Sequence, residues 1–215
     1  MTEPIKIDVW SDVACPWCFI GKRKLEAGIE QFGGEVEVEF HSFELSPDTP
    51  ADFAGSTVEF LAERKGMPKD QVVQMLERVT GIASAVGLEY DFDSVIHTKT
   101  LKAHELLHFA KAHGKQLELK ERLMSAYFEQ GRNVSSPDEL AALAADVGLN
   151  REAALSALRE STYHDDVQAD IAQARELGIQ GVPFFVVNGK YGISGAQEAS
   201  TFAAALAQVR DEEAA

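Results

Sequence analysis

The sequence predicts an α/β fold in which a small sheet with helices is interrupted by a large, all-helical insertion. Alternating apolar residues mark strands near both ends of the chain, whereas residues 49–177 between them carry almost only helical patterns. A segment of this length is too long for a loop, so we expect it to form a subdomain. The predicted domains are therefore 1–48 with 178–215 for the sheet, and 49–177 for the insertion.

The first predicted element is a strand at residues 5–10, where apolar and polar side chains alternate. A helix is predicted from about residue 15 to residue 32, because Gly33 and Gly34 supply a stop signal. Alternation returns at residues 35–43 and predicts a second strand. A strand, a helix and a strand in this order favour a parallel pair of strands.

The insertion is predicted to be a series of helices. Ser56 followed by Glu59 is typical of a capping box, and Pro68 suits the first position of a further helix. The predicted helices lie directly after Ser56 and at 68–86, 95–113, 117–129, 137–147, 151–159 and 163–177.

The last part of the chain returns to strands. Residues 183–187 and 190–193 are rich in β-formers, and Asn188-Gly189 between them is a strong signal for a tight hairpin. Both turn residues must then adopt positive φ. A closing helix is predicted at 197–209.

The formal net charge of −15 bears on the class of partner. An acidic surface repels phosphate backbones and anionic lipids, so we expect neither nucleic acid nor a membrane surface as a partner. No stretch approaches the roughly 20 apolar residues that a membrane span needs. The first residues do not resemble a signal peptide, and we therefore expect a cytoplasmic location.

The two cysteines, Cys15 and Cys18, lie three residues apart at the predicted strand–helix junction. Side chains at this spacing on a helix are about 5–6 Å apart at Cβ, which is compatible with a disulfide. In a reducing compartment such a pair is typical of redox catalysis or metal binding. The pattern thus predicts a dithiol that can open and close without refolding.

The two sulfurs are predicted to have different roles. Cys15 lies at the helix N-terminus, where unpaired N–H groups favour an anion, so we expect a lowered pKa and a nucleophilic role. Cys18 lies one turn deeper and fits the resolving thiol. Pro16 suits the first helical position, and Trp17 offers an apolar contact for a partner. A zinc half-site and two incidental thiols are the alternatives, but the chain supplies no second cysteine pair.

Several motifs together resemble the DsbA-like thioredoxin-fold family, and within it the cytoplasmic FrnE-type branch. The motifs are Trp10-Ser11-Asp12, Cys15-Pro16-Trp17-Cys18, Phe43-Glu44-Leu45, Ala103-His104-Glu105-Leu106, Gly181-Val182-Pro183-Phe184-Phe185 and Ser194-Gly195-Ala196-Gln197. The resemblance spans nearly the whole chain. It implies a thioredoxin-like fold interrupted by a helical domain, in agreement with the order of elements derived above.

The resemblance also implies a function and further site residues. By analogy Pro183 is a cis-proline that faces the dithiol, and the backbone of Val182 pairs with the bound substrate. The implied activity is that of a protein disulfide oxidoreductase, acting as a reductase or an isomerase on protein or low-molecular-weight thiols and disulfides. No cofactor is implied beyond the redox-active disulfide, with glutathione as an optional co-substrate.

Two other function classes stay open. A glutathione-dependent isomerase or transferase of the same fold would use a single residue at the helix start, and Cys18 argues against it. A redox-gated binding protein would bind clients without turnover.

Further polar residues have competing interpretations. Asp12 could raise the pKa of Cys15 or move a proton for Cys18, but it also suits a turn. His97, His104 and His108 fall on one face of the helix predicted at 95–113, and residues 104–108 match a His-Glu-x-x-His pattern. Without a third ligand we predict no metal site there. His41 on the second strand could approach the dithiol.

Overall fold

A computed structural model describes residues 3–50 and 53–213 of the 215-residue chain. The chain folds into two compact units, which are residues 1–45 with 168–215 (the sheet unit) and residues 46–167 (the helical unit). The ends of the predicted sheet domain, residues 1–2 and 214–215, lie outside the described residues. So do residues 51–52 of the predicted insertion.

The described residues form the following strands and helices in chain order. They are β1 (Ile5–Ser11), α1 (Pro16–Phe32), β2 (Val36–Ser42), α2 (Thr57–Lys65), α3 (Lys69–Ser84), α4 (Leu101–Ala112), α5 (Gln116–Phe128), α6 (Pro137–Asp146), α7 (Arg151–Glu160), α8 (His164–Glu176), β3 (Phe184–Val187), β4 (Tyr191–Ser194) and α9 (Ala199–Glu213).

The sheet has the strand order β2-β1-β3-β4. β1 and β2 are parallel, as the βαβ order predicts, whereas β3 runs antiparallel to β1 and to β4. Asn188 and Gly189 have φ of 47° and 66°, so the predicted hairpin is confirmed with both turn residues at positive φ. The Asn188 side chain also accepts a hydrogen bond from the backbone N–H of Lys6 at 2.7 Å.

Each face of the sheet buries a different set of apolar residues, because successive side chains on a strand point to opposite faces. One face packs against α1 and α9. Its core comprises Ile5, Ile7, Val9, Leu25, Phe40, Phe185, Val187, Phe202, Leu206 and Val209. The second face has a smaller cluster comprising Trp10, Ala174 and Ile179, against which Phe43, Val182, Phe184 and Val186 pack.

In the helical unit the predicted capping box is confirmed. Ser56 accepts from the backbone N–H of Glu59, and the Glu59 side chain accepts from that of Ser56. The helix predicted at 95–113 begins later than expected, since α4 starts at Leu101 with Thr100 as its N-cap. Thr98 and Thr100 are β-branched and polar, and such residues favour a helix start over a helix interior.

The second boundary between the two units falls inside α8. The sequence instead predicts this boundary after residue 177, beyond the end of the helix. The first turn of α8 belongs to the helical unit, whereas its residues from 168 onwards belong to the sheet unit. The reason is that Asp170 and Ala174 contact the sheet, Asp170 through hydrogen bonds and Ala174 through packing on Trp10.

α1 and α9 approach each other closely at Gly28. A Cβ atom at Gly28 would lie 2.6 Å from Cβ of Phe202 and 2.7 Å from the carbonyl oxygen of Ala199. Only glycine fits this contact without a shift of one helix.

We expect Gly28→Ala to lower the free energy of unfolding by about 1–3 kcal/mol, because overpacking outweighs the gain in helix propensity. Gly81→Ala is the matched control, since a Cβ on this α3 glycine meets nothing within 4 Å. The free energy of unfolding of Gly81→Ala should rise by about 0.5–1 kcal/mol. Urea unfolding measures both, and equal effects at the two positions would contradict the packing argument.

Candidate functional site

The dithiol lies where β1 leads into α1. Cys15 is the N-cap residue of α1 and Pro16 occupies its first turn. The backbone N–H of Cys18 donates to the carbonyl of Cys15 at 3.0 Å, which closes a single turn between the two cysteines. Both cysteines are in the thiol form, and they are buried, with exposed fractions of 5% for Cys15 and 2% for Cys18.

The Cys15 thiol faces the segment that precedes β3. Its Sγ donates to the carbonyl oxygen of Val182 at 3.6 Å, and the Val182–Pro183 peptide bond is cis. α1 lies directly against this proline, because a Cβ atom at Gly21 would come within 2.9 Å of Cγ of Pro183. The structure therefore brings together Cys15, Val182 and Pro183, which the sequence places far apart.

The surface beside the dithiol is partly apolar. The Trp17 side chain is 40% exposed, while Pro16 and Val182 are half-buried and Pro183 is buried. Leu45, which follows β2, is also exposed. The sheet unit thus carries exposed apolar side chains in addition to the two nearly buried sulfurs.

The pKa of the Cys15 thiol is raised well above its ordinary value, whereas the position at a helix N-terminus predicts a lowered pKa. The largest cause is the hydrogen bond with the Cys18 thiol, followed by burial, and the charge of Asp12 acts in the same direction. These effects outweigh the helix N-terminus, which by itself favours the thiolate.

Asp12 is buried, and it has the turn role that the sequence offers as one of two interpretations. Its carboxylate accepts from the backbone N–H groups of Ala14 at 3.3 Å and Leu45 at 2.8 Å. Its negative charge also raises the pKa of Cys15. Asp12 therefore connects the turn before α1 to the segment after β2, and it adds a charge near the sulfurs.

The three histidines predicted to share a helix face do not do so. His104 and His108 lie on α4, but His97 precedes this helix and contacts the hydroxyl groups of Thr57 and Tyr127. Burial lowers the pKa of His97 to about 4, which keeps its ring neutral near pH 7. The expected common face is wrong because Thr100 starts the helix after His97.

Sequence reasoning missed a group of charged residues on the second face of the sheet. Asp8, Glu39 and His41 meet there, and Asp170 of α8 joins them. The sequence suggests His41 only as a neighbour of the dithiol. Alternation in β1 and β2 places Asp8, Glu39 and His41 on one face, but no pattern indicates that Asp170 reaches them.

Within residues 3–50 and 53–213, no helix combines the length and the apolar character that crossing a membrane requires.

Comparison with known proteins identifies similar chains along nearly the whole length. The model of the DSBA-like thioredoxin domain family matches residues 6–207. The YwbO protein of Bacillus subtilis is 33% identical over 185 residues, which cover 85% of this chain and 86% of the relative.

Two solved structures extend the comparison. A probable DsbA oxidoreductase from Streptomyces coelicolor has a TM-score of 0.90 at 36% identity, over 97% of this chain and 91% of that one. The cytosolic disulfide reductase DsbM from Pseudomonas aeruginosa, solved with glutathione, has a TM-score of 0.66 at 18% identity, over 95% and 99%. At that identity the likeness to DsbM concerns the fold alone.

We expect Asp12→Asn to lower the pKa of Cys15, because the variant removes a negative charge that raises it. The ultraviolet absorbance of the thiolate, followed against pH, measures the change, and Cys15→Ser identifies the Cys15 signal. Asp211→Asn, an exposed acid on α9, is the charge-matched control and should leave the titration unchanged. An unshifted or raised pKa in Asp12→Asn would contradict the assignment of the charge effect.

Proposed function

Because this chain belongs to the DSBA-like thioredoxin domain family, we propose that it is a thiol–disulfide oxidoreductase whose reacting groups are Cys15 and Cys18. The observation that carries the proposal is the position of Cys15. Its thiol lies at the start of α1, beside Cys18, and faces the carbonyl of Val182 next to a cis-proline. Membership of the FrnE-type branch stays a prediction.

Exchange proceeds in two displacements at sulfur. The Cys15 thiolate attacks a substrate disulfide, forms a mixed disulfide and releases one substrate thiolate, which takes up a proton. Cys18 then loses its proton and attacks the Cys15 sulfur. This step forms the Cys15–Cys18 disulfide and releases the second substrate sulfur as a thiol. The substrate gains two electrons and two protons, and the reverse sequence oxidises a dithiol.

The assignment of the two roles is supported by the position of each sulfur. Cys15 precedes the exposed Trp17 and is the residue whose thiol contacts Val182, so an incoming sulfur meets it first. Cys18 is inside the first turn of α1 and less exposed, which suits attack on a neighbouring mixed disulfide. In the mixed disulfide, the Cys15 sulfur cannot carry a negative charge, so it no longer opposes ionisation of Cys18.

Pro16, Trp17, Val182 and Pro183 are proposed to contact the substrate. The exposed indole of Trp17 offers apolar area beside the sulfurs, and the backbone of Val182 offers a hydrogen-bonding edge. The proposed substrates are polypeptides or low-molecular-weight thiols and disulfides. Glutathione is the proposed co-substrate, and the fold shared with a disulfide reductase solved with glutathione supports testing it first. No other cofactor is proposed.

A cytoplasmic location belongs to the same proposal. It is supported by the cytosolic origin stated for DsbM.

The first experiment measures the reduction potential of the Cys15–Cys18 pair in glutathione buffers, with alkylation of the free thiols. A reversible two-thiol transition supports the proposal, and its absence would contradict it. A potential near −270 mV, about that of thioredoxin, indicates a reductase. A potential of roughly −120 to −180 mV indicates a disulfide donor or an isomerase.

Cysteine variants test the two roles separately. We expect Cys15→Ser to abolish exchange, because a hydroxyl cannot replace the attacking thiolate. Cys18→Ser should still react but accumulate mixed disulfides, which mass spectrometry detects on Cys15. Full activity of Cys18→Ser with glutathione would instead favour a glutathione-dependent isomerase or transferase. Client binding without turnover in the wild type would favour a redox-gated binding protein.

A further inference from the structure

His41 lies between two carboxylates on the second face of the sheet. Its Nδ1 is 2.8 Å from Oδ1 of Asp170, and its Nε2 is 2.9 Å from Oδ1 of Asp8. An ionised carboxylate only accepts hydrogen bonds, so both ring nitrogens must donate. The geometry therefore selects the imidazolium form of His41.

The indole of Trp10 packs on one face of the His41 ring and holds the ring in position. Trp10 pairs with His41 in the register of β1 and β2, and the two rings stack with centroids 4.6 Å apart and planes inclined by 17°. A cation over an indole face gains a favourable electrostatic interaction. The stack therefore also favours the charged ring.

Asp170 connects α8 to both parallel strands. Its Oδ2 accepts from the backbone N–H of Ser42 at 2.7 Å, and its carbonyl accepts from Nε1 of Trp10 at 3.2 Å. With the bond to His41, this buried aspartate makes three bonds to β1 and β2. Asp170 and His41 together form what we call the carboxylate–imidazolium bridge, with Asp8 as its third member.

The charges around the ring set its titration. Burial alone would lower the pKa of His41, but the bonds to Asp170 and Asp8 and the charge of Glu39 outweigh it and raise the pKa above 6.5. Glu39 Oε1 is 3.6 Å from Nε2. Lys6 also faces the group, with its Nζ 3.2 Å from Asp8 and 3.6 Å from Glu39, and it balances part of their charge.

The bridge connects β1, β2 and α8, and each of these elements leads into a segment of the dithiol site. β1 continues through Asp12 to Cys15, and β2 continues to Leu45, whose N–H binds Asp12. α8 continues to the segment with Val182, which packs on the cluster of Trp10, Ala174 and Ile179. The charged ring of His41 thus connects β1, β2 and α8, which lead to the segments that carry Cys15, Asp12 and Val182.

We propose that the His41 imidazolium is a positioning residue for thiol–disulfide exchange, holding these three segments so that Cys15 faces Val182. The inference rests on the proposed function, since it assigns His41 an effect on that reaction. It predicts that exchange and stability both depend on the proton that His41 carries.

The sign of the pH dependence follows from the raised pKa. A group whose pKa is higher in the folded than in the unfolded chain stabilises the fold fully below its unfolded pKa, about 6.5. This stabilisation is lost as the pH rises through the folded pKa. The exchange rate per Cys15 thiolate should decline over the same window, because the bridge opens.

The test compares His41→Gln, which is neutral at every pH, with His41→Arg, which stays charged and can bind two carboxylates. Exchange rates are measured against pH and divided by the Cys15 thiolate fraction. We expect a roughly three- to tenfold loss in His41→Gln at low pH, a decline with pH in the wild type, and little pH dependence in His41→Arg. His113→Gln, an exposed histidine after α4, is the control and should behave as the wild type.

Nitrogen NMR of the His41 ring tests the bridge without using activity. We expect both nitrogens to be protonated below pH 6.5, and Asp170→Asn to shift the midpoint to lower pH by about one unit. A neutral ring at that pH, stoichiometric Zn²⁺ binding at His41, or rates in His41→Gln equal to the wild type at every pH would overturn the inference. Wild-type protein without exchange activity but with the expected ring titration would contradict the proposed function instead.

Discussion

The close approach of α1 to the segment before β3 is the constraint on which the site depends. Gly21 leaves space for the ring of Pro183, and this lets the first turn of α1 present Cys15 to the carbonyl of Val182. A side chain at position 21 would separate the two segments. The hairpin of β3 and β4 and the pairing of β3 with β1 hold the other side of the contact in place.

Much of the sheet unit could be predicted from the sequence, because its signals are local. Alternation in β1 and β2, the stop at Gly33 and the Asn188-Gly189 turn each specify their own backbone conformation. The Cys15/Cys18 pair is likewise local, since its spacing and its place at a helix start determine which chemistry it can perform. The position of Pro183 opposite the pair came from the family resemblance.

The features that sequence reasoning did not predict are tertiary. The pKa of Cys15 depends on the hydrogen bond with Cys18, on burial and on the charge of the second sulfur, and all three oppose the local effect of the helix terminus. The late start of α4 follows from competition between an apolar helical pattern and threonines that favour a helix start. Asp170 contacts strand residues that lie more than a hundred positions earlier in the chain, and no periodic pattern in the sequence indicates this contact.

The hydrogen bond from Cys15 to Val182 has a consequence for the order of events at the site. A disulfide has no proton to donate, so formation of the Cys15–Cys18 bond removes the donor that this carbonyl has in the dithiol. The acceptor is then available to an N–H group of an extended polypeptide. When the thiol re-forms, it competes for the same oxygen. The oxidised protein therefore presents a more available backbone acceptor than the reduced one. When the protein oxidises a client dithiol, the proton that returns to Cys15 at the end of the reaction favours release of the client.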